Sequence, residues 1–64
     1  MRGRVVEFDE DRGLGVIAAG EATYPFHCTQ IADGSRSVDV GVDVSFETRP
    51  GHLGRWEATA IATA

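Results

Sequence analysis

The residues best placed to do chemistry in this chain begin with the run Arg12-Gly13-Leu14-Gly15-Val16-Ile17. A basic side chain stands ahead of two glycines at alternate positions, with aliphatic residues between and after them. Glycines spaced by two leave one side of a strand bare, so a second backbone or a flat ring can approach closely. Every basic residue of the chain is arginine, whose planar guanidinium can stack on rings or fork onto phosphate. This set suits holding a flat, anionic ligand rather than breaking a bond. The sequence offers no nucleophile–base pairing, no phosphate loop and no metal cluster, so no enzyme and no cofactor are expected.

The other candidate groups read as structural. Cys28 is the single cysteine, which excludes an intramolecular disulfide and a cysteine-rich zinc site. It reads as a small core hydrophobe. His52 lies in a loop and reads as a solvated turn residue. Neither histidine has a second histidine or cysteine at metal-site spacing. Asp9-Glu10-Asp11 lacks the spacing of a calcium loop and reads as a solvated turn.

These groups must be positioned by a very small domain. The chain has 64 residues, enough for one domain spanning 1–64. A chain this short buries only roughly 60% of its unfolded surface, so its core is small. Ten acidic residues against six basic ones give a net charge of -4. That balance argues against strong general attraction to phosphate. All six basic residues are arginines and lysine is absent, which fits either codon bias or retention of the stacking guanidinium. No apolar run approaches the ~20 residues of a membrane span, and no secretory signal is evident. A cytoplasmic location is expected.

Alternation and turn residues predict five strands. Arg2 to Phe8 is the first, and Asp9 to Gly13 the turn after it. Gly13 to Ala18 is the second strand, followed by a tight connection at 19–22. Thr23 to Cys28 is the third, with Tyr24, Phe26 and Cys28 on one face and Pro25 and His27 on the other. Pro25 suits an edge. The pattern loosens from Thr29 to Gly41, with a short 3₁₀ turn at Gln30-Ile31. Val42 to Thr48 and Arg55 to Ile61 are the last two strands, and 62–64 are expected to fray. Val5, Ile17, Tyr24, Phe26, Val44, Phe46 and Ile61 are the expected core. The fold class is all-β: five short antiparallel strands over residues 1–61, forming a small barrel or a sandwich.

In this order of segments the chain resembles the cold-shock domain family. Gly3-Arg4-Val5-Val6-Glu7-Phe8-Asp9 is similar to that family's first strand, G-x-V-K-W-F-N. Arg12-Gly13-Leu14-Gly15-Val16-Ile17 resembles its K-G-F-G-F-I, and Tyr24-Pro25-Phe26-His27-Cys28-Thr29 its V-F-V-H-F-S. Gly41 to Glu47 resembles the G-Q-x-V-x-F-E segment, and the residues from Gly54 onward resemble the last strand. The resemblance implies an OB-type barrel that binds single-stranded RNA or DNA, pyrimidine-rich by preference, without catalysis.

The family's aromatic patch is heavily altered here. Glu7 stands for the tryptophan, Leu14 and Val16 for two phenylalanines, Pro25 and Cys28 for two more, and Ser35 for the loop aromatic. Phe8, Arg12 and His27 keep their types, and Arg36 follows the loop as the family's basic residue does. Each base stack contributes roughly 1–3 kcal/mol, so losing two costs ~2–6 kcal/mol of affinity. The implied nucleic-acid face comprises Phe8, Arg12, Leu14, Val16, His27, Arg36, Arg55 and Trp56. Trp56 has three readings: a relocated stacking platform with Arg55, flanked by His52 and Leu53; a cap on the barrel or on Leu14 and Val16; or part of an apolar patch with them. The last would serve a protein partner or a homodimer through the Leu14/Val16/Trp56 face.

Overall fold

The computed structural model describes residues 1–51 and 54–64. His52 and Leu53, named above as flanks of Trp56, lie outside the described residues. Five strands carry the fold: β1 (Arg2–Asp9), β2 (Leu14–Ala19), β3 (Ala22–His27), β4 (Asp43–Pro50) and β5 (Trp56–Thr63). All pair antiparallel, in the order β3-β2-β1-β4-β5. The ladders end at β3 and β5 and do not close into a complete cylinder among the described residues. Closure is partial instead: Ile31, just past β3, makes a parallel bridge with Ile61 of β5, and the Ala32 N–H donates to the Ile61 carbonyl. Pro25, which has no N–H to give, does sit in an end strand of the order.

The expected core forms. Val5, Ile17, Val44, Phe46, Phe26 and Ile61 are buried, and Tyr24 packs against them with its ring tilted on Phe46. Ile31 and Ala58 join them. The 3₁₀ turn falls at Cys28–Gln30, earlier than Gln30-Ile31, because the His27 side chain accepts the Thr29 N–H and caps it. Residues 62–64, expected to fray, are paired: Ala62 and Thr63 lie opposite Ser45 and Val44, and the Ala64 N–H donates to Asp43. The backbone ladder of β4 holds them where their small side chains signal nothing.

Two irregularities set which way side chains point. In β1 the register shifts between Val5 and Glu7, leaving Val6 as an extra residue. Strict alternation from buried Val5 would turn Glu7 inward and Phe8 outward. The bulge reverses this, because one inserted residue exchanges the faces of everything after it. The second shift lies where Ala60 and Ile61 of β5 oppose Phe46 of β4, and Ala60 has φ 51°.

Candidate nucleic-acid interface

The register of β1, β2 and β3 assembles the candidate face row by row. Asp9, Leu14 and His27 are cross-strand partners in one row, and Glu7, Val16 and Pro25 in the next with the same facing. Leu14, Val16 and His27 therefore share one side of the sheet. Phe8, Gly15 and Phe26 form the row between, facing the other way. Phe8 is half-buried and stacks on Phe26, with ring centroids 6.0 Å apart and planes 11° apart. Its ring is a neighbour of the core rather than a free platform beside Leu14 and Val16, a consequence of the bulge at Val6.

The alternating glycines serve the fold. A Cβ on Gly15 would collide with the Phe26 ring, 2.6 Å from its Cε1, and lie 2.9 Å from the Glu7 carbonyl oxygen. The bare side of that strand is filled by Phe26. Gly13 has φ 67° and closes the acidic turn by donating to the Asp9 carbonyl at 2.8 Å. A Cβ there would meet the Cys28 sulfur at 2.7 Å. The Phe26 ring thus packs the glycine side, while Leu14 is exposed on the other.

A shallow hollow of about 650 Å³ opens over this end of the sheet. Its walls bring together Phe8, Arg12, Leu14, Val16 and Arg55 of the expected site, with Glu7, Asp9, Gly15, Pro25, Phe26 and Val40. His27, Arg36 and Trp56 are not among its walls. His27 is exposed at the end of β3, and its Nδ1 accepts the Thr29 N–H at 3.2 Å, which leaves Nε2 to carry the ring hydrogen. Arg36 is exposed in the loop after Gly34, with φ 59°. Trp56 is 55% exposed at the start of β5, opposite Pro50. Among the described residues it is not part of the core cluster, nor a wall of the hollow that holds Leu14 and Val16. The long loop instead contributes Val40, 59% exposed, which the sequence reading missed. Its signal was the alternation of Val38, Val40 and Val42, in which Val38 and Val42 pack against the core and Val40 turns away.

Charges at the hollow are of both signs. Arg12 lies 3.9 Å from Asp9, and Asp9 also accepts the backbone N–H groups of Asp11 and Arg12. Arg55 has no carboxylate partner among the described residues, nor does Glu7 have a cation. In the long loop the Asp33 carboxylate accepts the Ser35 N–H at 2.9 Å, which holds its pKa below the ordinary aspartate value. Among the described residues no group of three or more His, Cys, Asp or Glu could hold a metal ion. No helix among them is long and apolar enough to cross a membrane.

No protein-family model matches the chain, and no curated protein does. Solved structures do. The Drosophila Unr CSD456 structure superposes with a TM-score of 0.78 over 98% of this chain, at 26% identity. The chain folds as a cold-shock domain. It spans only 26% of that structure's chain, so the likeness concerns one domain of a longer protein. In this fold the face that the resemblance assigns to bases is built from Glu7, Leu14, Val16 and Pro25 instead of rings.

Proposed function

We propose that this cold-shock domain binds single-stranded nucleic acid, RNA or DNA, weakly and with altered specificity, through the hollow over β1 and β2. One observation carries the reading: the fold gathers Leu14, Val16 and Pro25 as an apolar floor, with Arg12 and Arg55 in the same walls. A base laid on that floor gains apolar contact but no ring-on-ring stack. Phosphates on either side reach the two guanidiniums. The reading involves no catalysis and no metal, and it puts the domain in the cytoplasm. His27, Arg36 and Trp56 extend the face beyond the hollow.

Titration of short single strands, one oligothymidylate and one of mixed sequence, tests it. Trp56 follows Arg55 directly and is the only tryptophan, so its fluorescence reports events at the edge of the hollow. Quenching that saturates at low salt supports the reading. Silence with both strands at micromolar protein counts against it.

A second reading is a domain that meets a protein, or a second copy of itself, through the same face. The exposure of Leu14 and Val40 in one hollow favours it. Size exclusion separates the two. A dimer broken by Leu14→Glu supports the second, and a monomer that binds strands supports the first.

A further inference from the structure

Building on the binding reading above, we propose that Glu7 makes this face select guanine. Glu7 and Asp9 are the two carboxylates in the hollow, and they differ in commitment. Asp9 is engaged by the Asp11 and Arg12 N–H groups and by the Arg12 side chain. The Glu7 carboxylate is exposed and meets no hydrogen-bond donor or cation among the described residues. Its register partner is Val16, and Val16 in turn faces Pro25. A base seated over Val16 and Pro25 therefore presents an edge to an unoccupied carboxylate.

A carboxylate only accepts hydrogen bonds, and its two oxygens take two parallel donors best. In a single strand the pairing edge of each base is free to be read. Guanine alone offers adjacent donors there, N1–H beside N2–H₂. Thymine and uracil place one N–H between two carbonyls, which the carboxylate repels. Cytosine and adenine offer one amino group beside a ring-nitrogen acceptor. The charge that weakens binding to phosphate thus becomes the element that sorts bases. This departs from the pyrimidine preference that the family resemblance implies.

The test compares a short oligothymidylate with a strand of equal length carrying guanine at alternate positions. Both are titrated in lithium salt, so that the guanines do not assemble with one another, against the intact chain and Glu7→Gln. A bidentate pair discriminates by enough to expect about tenfold tighter binding of the guanine strand by the unaltered chain. Glu7→Gln should bring the two strands within about twofold, loosening the guanine strand and tightening the oligothymidylate as the repulsion is removed. Opposite movements cannot come from partial unfolding, which weakens both. Equal affinities in the unaltered chain, or a guanine preference that survives Glu7→Gln, overturn the inference and leave the binding reading standing. Failure of both strands to bind overturns the two together.

Discussion

At Gly15 a single hydrogen atom in place of a side chain decides how β2 can lie on the core. The Phe26 ring and the Glu7 carbonyl occupy the space that any Cβ would need. Gly15→Ala must displace either a buried aromatic ring or the backbone of β1. Overpacking of this kind costs typically about 1–3 kcal/mol. In a domain of this size each kcal/mol moves the melting midpoint by about 4–8 °C, so the midpoint of a thermal melt followed by circular dichroism should fall by roughly 4–24 °C. An unchanged midpoint would show that Phe26 moves aside freely and that the glycine serves another purpose. Spacing alone marked Gly15 as a place of close approach. Which object approaches was hidden, because a phenylalanine eleven residues downstream and an external base leave the same trace in the sequence.

At the scale of elements, most of the architecture was legible and its irregularities were not. Alternation in Val42, Val44 and Phe46 and the turns at 9–13 and 19–22 reported the strands, since a half-buried sheet demands a period of two. A bulge inserts a residue without changing composition, so nothing about Val6 announced that Glu7 and Phe8 exchange faces. That exchange explains why Phe8 stacks on Phe26 and why Glu7 reaches the hollow. The bulge in β5 makes its own prediction. Ala60 holds φ 51°, a left-handed conformation that costs an L-residue about 1–2 kcal/mol and that glycine adopts freely. Glycine also raises the entropy of the unfolded chain, which returns about 0.4–1 kcal/mol of that gain. Ala60→Gly should therefore raise stability by up to about 1.6 kcal/mol, read as a higher urea midpoint with an unchanged slope. Because Ala60 is exposed, no lost packing offsets it. A lower midpoint would mean that the β5 backbone is not held in that conformation.

Across the whole molecule, net charge and local charge pull in opposite directions, and salt separates them. A chain of net charge -4 repels a polyanion at long range, yet Arg12 and Arg55 stand in one hollow. For a single strand, each phosphate neutralised contributes about -0.7 to the slope of log K against log salt concentration. Two arginine contacts predict a slope of about -1.4, shallow for a nucleic-acid binder, with the remainder of the affinity coming from the apolar floor. Arg55→Ala should reduce that slope by about 0.7 and weaken all sequences alike, because a phosphate contact carries no base information. Arg36→Ala should take away a further change of about 0.7 where the strand follows the face out to Arg36, and leave the slope as it was where the strand keeps to the hollow, whose walls do not include Arg36. A slope of about -4 would require cations well outside the hollow and would move the site toward Arg2 and Arg36. A slope near zero with binding intact would remove phosphate from the mechanism and leave the apolar floor acting alone, the behaviour of a protein-binding face.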